Sequence, residues 1–409
     1  MNRLRSVASF LALRRNTSLL LATLLLALTG ERLWLNFAPK YLETLGAGIA
    51  IIGVFDGLQT LLGALYAYPG GWLTDRWGQR RSLLLFNAIA LAGYVLVLFW
   101  HHWLALVLGS VLFLAWSGLS LPATFAVVAS SLESNQHTMG VGVQSLVRRV
   151  PMMVGPLAGG WLVTRYGWID GVQYAVLGCI VLTLSAAGFQ WFMIDPKAAS
   201  SEAGPKQTAS FAEVVRSFTP VLRELLVSDI LIRFCERIPS AFVILWALNH
   251  GGFTAQQFGI LVAIEMIAAM LCYIPVAHLA DKYGRRPFVL ITFVFFTCFP
   301  LMLLWATDFA ALSLAFVVRG LKEFGEPARK ALIIGEAAPE FRARAFGAYY
   351  LIRDCVVTSG SFIGAWLWSI SPQANFIGAA VCGAMGTAWF GWFACSKRRE
   401  RGALTSGHG

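Results

Sequence analysis

Glu31-Arg32 and Glu236-Arg237 set opposite charges side by side inside long apolar runs. A carboxylate beside a guanidinium in a poorly hydrated setting changes its proton affinity with the wetness of the site and with whatever occupies the arginine. Such a group can take up a proton in one state and release it in another. A guanidinium released from its carboxylate can hold an anion through two parallel hydrogen bonds. Glu31 and Glu236 are therefore the first proton-carrying candidates, with Glu323 and Asp354 behind them. Arg32, Arg237, Arg148, Arg149, Arg319 and Arg353 are the candidates for binding an anionic group.

The stretch FVVRGLKEFGEPARKAL adds a stripe, with Arg319, Lys322, Glu323 and Glu326 at i, i+3, i+4 and i+7 on one helix face. Arg319 to Glu323 and Lys322 to Glu326 are spaced to pair along that face. Taken together, eight interior cations (Arg32, Arg148, Arg149, Arg233, Arg237, Arg319, Lys322, Arg353) meet seven acids (Glu31, Asp56, Glu236, Glu265, Glu323, Glu326, Asp354). So near a balance leaves a second interpretation open, a permanently paired network that only fixes helix register and closes gates. The seven cysteines form no C-x-x-C pair and there is no H-E-x-x-H, so neither a metal nor a cofactor is expected.

Composition decides what must position these groups. With 57% hydrophobic residues, 13% charged and a mean hydropathy of +0.67, the 409-residue chain has too little polar surface to coat a water-soluble globule. Apolar runs of the ~20 residues that cross a hydrocarbon core recur twelve times. They fall at 19–41, 49–73, 82–99, 103–129, 141–164, 171–193, 225–248, 258–279, 287–305, 309–334, 345–370 and 374–395. None alternates with period two, which favours helices over a barrel. An Arg or Asp at mid-bilayer costs about 2.5–3.5 kcal/mol even on the lenient insertion scale, so these charges must face one another or a polar cavity. Glu31 lies about twelve residues into its span, about 18 Å at 1.5 Å per residue, near the midplane.

The net charge of +11 is unevenly placed. Of 32 Lys and Arg, 22 fall in the N-terminus, alternate loops and C-terminus, including clusters at 76–81, 197–223, 282–286, 329–344 and 397–401. The opposite loops hold only Lys40 and Arg165. This is the positive-inside pattern, with both termini cytoplasmic, and it argues against nucleic acid as the partner. The opening MNRLRSVASFLALRRN is read as a basic leader to the first span. Residues 195–210, DPKAASSEAGPKQTAS, have a linker's composition.

A shift of 205 or 206 residues aligns Gly30-Glu31-Arg32 with Cys235-Glu236-Arg237, Asp75 and Gly78 with Asp281 and Gly284, and Arg148, Gly155 and Gly159 with Arg353, Gly360 and Gly364. One six-helix unit occurs twice. The domains expected are an N-terminal bundle at 1–194, a cytoplasmic linker at 195–224 and a C-terminal bundle at 225–409.

GGWLTDRWGQRR at 70–81 resembles the loop between helices 2 and 3 of the major facilitator superfamily, on Gly71, Leu73, Asp75, Arg76, Gly78, Arg80 and Arg81. A second copy keeps Leu279, Asp281, Lys282, Gly284, Arg285 and Arg286, with Ala277 in place of the first glycine. The likeness covers the whole chain and implies an all-α membrane protein of twelve helices in two pseudo-symmetric bundles. It also implies a conformational gate at the motif residues, where Asp75 and Asp281 latch the cytoplasmic side against helix N-termini. GVGVQSLVRRVPMMVGPLAGGW at 140–161 is similar to the family's antiporter motif through Gly142, Gly155, Pro156, Gly159 and Gly160, although Pro151 stands where a glycine is expected. Gly360 and Gly364 repeat the pattern, so repeat-wide helix packing is the competing explanation.

There is no G-x-x-x-x-G-K-[ST] loop and no G-x-S-x-G elbow, so the chain is not expected to be an enzyme, and energy must come from an ion gradient or exchange. The leading expectation is proton-coupled secondary transport of a small organic molecule by alternating access, as efflux by proton antiport. The alternative is import of an organic anion by proton symport or exchange. A non-transporting sensor on the same fold is the third. The partners expected are the lipid bilayer of a bacterial inner membrane, a small-molecule substrate and protons, with a monomer as the functional unit.

Overall fold

The computed structural model describes residues 15–131, 137–193, 211–306, 308–337 and 342–406, which contain no strand. Helix α1 spans Arg15–Trp34 and continues through one 3-10 turn, Leu35–Phe37, into Ala38–Thr44. It is followed by α2 (Ile49–Trp77), α3 (Gln79–Phe99), α4 (Trp103–Ser131), α5 (His137–Tyr166) and α6 (Trp168–Trp191). After a short helix at Phe211–Arg216, α7 spans Pro220–Arg237, with Phe242–Leu245 and a π-helical Trp246–His250 beyond it. Then come α8 (Ala255–Tyr283), α9 (Arg285–Trp305), α10 (Phe309–Gly320), α11 (Arg342–Ile370) and α12 (Pro372–Ser406). The order is that of the twelve spans. The basic leader, residues 195–210 of the linker and the side chains of the C-terminal basic cluster lie outside the described residues.

Among the described residues seven helices are long and apolar enough to cross a membrane: α1 to α4, α6, α8 and α9. The others include α5, α7, α10 with its continuation, and α11, which carry most of the interior charges; Glu31 and Arg32 on α1, Asp56 on α2 and Glu265 on α8 are the rest.

Contacts divide the chain into two units, Met1–Pro205 with Ala247–Ala263, and Lys206–Trp246 with Ile264–Gly409. In the first, α1 packs on α5 and α6, and α4 packs on α2 and α3. The fully buried Trp34 sits edge-on to Phe113 and Tyr94, at 5.0 and 6.3 Å between ring centroids. In the second, α7 packs on α11 and α12, and α9 packs on α12 and α10. Its core gathers Leu222, Leu225, Ile232, Val289, Phe293 and Ile333.

The turns after α2 and α8 need glycine. Gly78 (φ 86°, ψ 163°) and Gly284 (φ 90°, ψ 151°) sit in a backbone region essentially closed to side chains. Either Gly78→Ala or Gly284→Ala is expected to lower stability by about 1–3 kcal/mol, read as an earlier thermal melt of the purified protein. The same exchange at Gly63, where an added methyl meets nothing within 4 Å, should leave the melt close to that of the parent.

Helix α10 is broken. A 3-10 turn at Leu321–Glu323 and a turn at Phe324-Gly325 separate it from its continuation, Glu326–Glu336. Gly325 fits against the Phe288 carbonyl of α9, and its N–H donates to Thr292 Oγ1 at 2.5 Å.

Candidate functional site

In the second unit α7 supplies Asp229, Arg233 and Glu236 to one face, at i, i+4 and i+7. The broken α10 meets this face with Arg319 and Lys322 above the break and Glu326 and Arg329 below it. Glu265 of α8 and Arg353 and Asp354 of α11 complete the cluster.

Its upper part is a chain of two acids and two cations. Lys322 Nζ lies 3.0 Å from both Glu236 Oε1 and Glu265 Oε1, and Arg319 Nε lies 3.4 Å from Glu265 Oε1. Its lower part centres on Asp229, 1% exposed, which accepts from Arg329, from the Tyr349 hydroxyl at 3.1 Å and from Arg353 Nη1 at 3.4 Å. Arg329 is 2% exposed and also holds Glu326 at 2.7 Å, while Arg353 Nη2 holds Asp354 at 2.7 Å. Arg233 joins the two parts, 2.7 Å from Glu236 and 3.4 Å from Glu326. Aromatic faces steady the cations, with Arg353 4.2 Å from the centre of Tyr350 and Arg319 5.0 and 5.5 Å from Phe299 and Phe316.

Two readings of the sequence change here. Arg329, grouped by position with the basic loop cluster at 329–344, is instead a buried ion on Asp229. The stripe partners given by the structure for Arg319 and Lys322 lie on α7 and α8. The reason is the break in α10, which falls between the stripe residues and interrupts the regular i, i+4 spacing. Asp229 and Arg329 were not singled out in the sequence. Their signal was available: extending the stripe by one turn reaches Arg329, and the same spacing test on α7 reaches Asp229.

A small recess of about 10 Å3, room for about one water molecule, opens beside the upper chain. Glu236, Arg319 and Lys322 give it charge, and Phe295, Phe296 and Phe299 wall it.

In the first unit Glu31 is 1% exposed and its Oε2 has no hydrogen-bond partner among the described residues. Arg32 and Arg148 are the cations whose charge reaches it. Among the described residues Arg32 Nη1 makes one long hydrogen bond, 3.5 Å, to Asn36 Oδ1. Arg148 and Arg149 are half-buried on α5, and Arg149 is partnered.

The glycines of α5 bring its backbone against α1. A methyl at Gly155 would lie 2.5 Å from Arg32 Cβ, and one at Gly159 would overlap the Leu33 carbonyl. On its other side Gly160 meets the Ala255 carbonyl, and the Pro156 carbonyl meets Gly259. The second unit repeats this, with Gly360 against Phe234 and Arg237 and Gly364 against the Ile238 carbonyl. Each pair is displaced by 205 residues from its counterpart, so the internal repeat extends to individual contacts.

Of the loop residues, Arg80 lies over the Trp191 ring at 4.9 Å and Arg285 donates to the Ala331 carbonyl at 3.1 Å. Arg81 is exposed, and Gly71 and Arg286 are partly buried. The side chains of Asp75 and Asp281 lie outside the described residues. Arg237 and Glu323 are partly buried and partnered.

The chain matches the family described as Major Facilitator Superfamily over residues 19–235 and 225–408. It is 26% identical to a multidrug resistance protein MdtG of Citrobacter koseri over 386 residues, 89% of this chain and 91% of that one. It is 22% identical to an uncharacterized MFS-type transporter of Methanocaldococcus jannaschii, over 90% of this chain and 92% of that one. Among solved structures it resembles the nucleoside transporter NupG with a TM-score of 0.77 at 14% identity, covering 92% and 98% of the two chains. The human organic anion transporter MFSD10 gives 0.61 at 18% identity, covering 92% and 99%. At these identities the structural likenesses establish the fold alone.

Proposed function

The chain belongs to the Major Facilitator Superfamily, and from that premise we propose that it is a proton-coupled secondary active transporter expelling a small organic molecule by proton antiport. It works as a monomer in a bacterial inner membrane with both termini cytoplasmic. The relatives named for multidrug resistance support the outward direction. The observation that carries proton coupling is Glu236, held between Lys322 of α10 and Arg233 of its own helix at the edge of a recess. A proton on Glu236 removes the negative charge that ties α7 to α10, so occupancy by a proton changes which helices are held together. Glu31 is the corresponding acid of the first unit and supplies the second proton-carrying position. The gate remains with Gly71, Asp75, Gly78, Arg80 and Arg81, with Asp281, Gly284, Arg285 and Arg286, and with Gly155, Pro156, Gly159 and Gly160 of α5.

Reconstituted vesicles carrying a trapped pH dye test this. A transported compound is expected to collapse an imposed proton gradient, and Glu236→Gln or Glu31→Gln should cut that proton-linked flux at least ten-fold. Substrate-for-substrate exchange without a gradient should survive in both variants. Flux that ignores the gradient, or that both variants leave intact, would overturn the proton-coupled reading.

A second reading, organic anion import by proton symport or exchange, is favoured by one specific feature, the guanidinium of Arg319, whose two terminal nitrogens pair with no carboxylate among the described residues. Proton-driven uptake into the same vesicles would select it.

A further inference from the structure

The seam between α8 and α10 has two sides. The helices touch where Gly320 meets Ala268 and the Glu265 carbonyl, an approach that leaves no room for an added methyl. On one side Glu265 holds Lys322 and Arg319. On the other a groove of about 420 Å3 opens, lined by Ile264, Ile267, Leu271 and Cys272 of α8 and by Val317 and Leu321 at the end of α10. By helical spacing Val317 and Leu321 lie on the face of α10 turned away from Arg319. Among the described residues no charged side chain lines the groove, and its volume is that of a pocket for a small organic molecule.

The first unit shows what fits such a seam. A shift of 206 residues carries Tyr66 onto Cys272, and a shift of 205 carries Trp116 onto Leu321. Between α2 and α4 the seam is closed by rings: Tyr66 lies against Gly118 and donates its hydroxyl to the Val111 carbonyl, and Trp116 is 1% exposed. The second unit has a thiol and a leucine side chain at these two places. The room for the rings is left open, and Ile267 and Leu271 stay exposed beside it.

Lining and shape together select the occupant. A charge carried into the groove would find no partner, since the ions of the neighbouring chain are turned to one another across the seam. A lipid chain gains little by leaving a bilayer as apolar as the groove, and it gives up rotational freedom to lie still. A flat ring system has little such freedom to lose. We propose that the groove seats the transported molecule and that this molecule is an uncharged polycyclic aromatic compound, its rings standing where Tyr66 and Trp116 stand in the first unit. This rests on the transporter reading, but not on the coupling ion or the direction.

Equilibrium dialysis of the full-length protein in lipid nanodiscs tests the assignment, with the uptake of empty discs subtracted. The probes are phenanthrene-9-carboxamide and its isosteres phenanthrene-9-carboxylate and 9-phenanthrylmethylammonium. The amide should bind saturably, and both charged probes about ten-fold more weakly or worse. Cys272→Tyr with Leu321→Trp copies the first unit, fills the groove and should weaken amide binding about ten-fold or more while the protein melts no earlier than the parent. Leu271→Ala, a change at an exposed side chain, should weaken it several-fold with the melt of the parent, and decides the matter should the filled variant fail to fold. No saturable binding of the amide, preference for a charged probe, or full affinity in the filled variant or in Leu271→Ala would each overturn the proposal. So would a phospholipid that purifies with the parent and is lost from the filled variant, which would make the occupant an acyl chain. In the vesicles, proton-linked flux of other compounds with no binding of the amide overturns the substrate class alone; saturable binding in the groove with no flux of any compound overturns the transporter reading instead.

Discussion

Arg329→Met is expected to lower the stability of the protein by about 3–5 kcal/mol, because it strands a carboxylate that has almost no access to water. Asp229 is 1% exposed and Arg329 2% exposed, so neither can exchange its partner for solvent. The effect belongs toward the lower end of that range. Tyr349 still donates to Asp229 at 3.1 Å and Arg353 still lies 3.4 Å away, so the stranded acid keeps part of its solvation. Removing both members is a different experiment. In Asp229→Leu with Arg329→Met the lost charges balance, Glu326 keeps Arg233 at 3.4 Å and Arg353 keeps Asp354 at 2.7 Å, and well-packed apolar side chains of similar volume are often as stable as the buried pair they replace. Most of the loss should return. Lys330→Met is the control: its side chain is 45% exposed at 3.5 Å from Glu326, a pairing worth well under about 1 kcal/mol. Melting temperatures of the three variants in detergent decide the matter, and an Arg329→Met variant that melts like the parent would show that the pair is not holding α7 to the continuation of α10. The double variant has a further use. If it folds yet no longer transports, the buried ions serve the transport cycle rather than the stability of the bundle.

Which of these groups the sequence revealed follows from how each one is built. Twelve spans, the repeat and the interior location of the charges were legible because they rest on the free energy of placing polar atoms in hydrocarbon, which reads directly as composition along the chain. The partners within the cluster were not legible. Arg319 and Lys322 turn to Glu265 and Glu236 because α10 is interrupted at Leu321–Glu323, and nothing in a periodicity argument announces a break that depends on Gly325 seating against the Phe288 carbonyl of another helix. Arg329 looked like a loop cation because it stands in the last turns of the 309–334 span beside Lys330, and basic residues at such an end normally mark the cytoplasmic side. Its burial depends on an acid three turns into a different helix. Glu31 shows the opposite case, a residue singled out by its pairing with Arg32, its repeat mate Glu236 and its depth, and placed by the structure as a buried acid with one oxygen unpartnered among the described residues.

The glycine contacts bear on what the antiporter-like stretch of α5 means. Gly159→Val is expected to destabilise the protein by about 3 kcal/mol, the upper range for inserting atoms into a packed interior, because even one added methyl would overlap the Leu33 carbonyl, a backbone atom that cannot rotate aside. Gly364→Val should do the same through the Ile238 carbonyl of the second unit. Gly188, where nothing lies within 4 Å of an added methyl, supplies the comparison, and Gly188→Ala should melt with the parent. The informative readout is exchange activity in whichever variants remain folded, with Gly159→Ala and Gly364→Ala as the milder substitutions. If the glycines do no more than let helices approach, the two positions should lose stability and activity in parallel, since each makes the same contact one repeat apart. If α5 has a role in antiport that α11 lacks, Gly159→Ala should abolish proton-linked flux while Gly364→Ala, equally destabilised, retains it. A parent-like melt in Gly159→Ala would contradict the close approach itself and with it both interpretations.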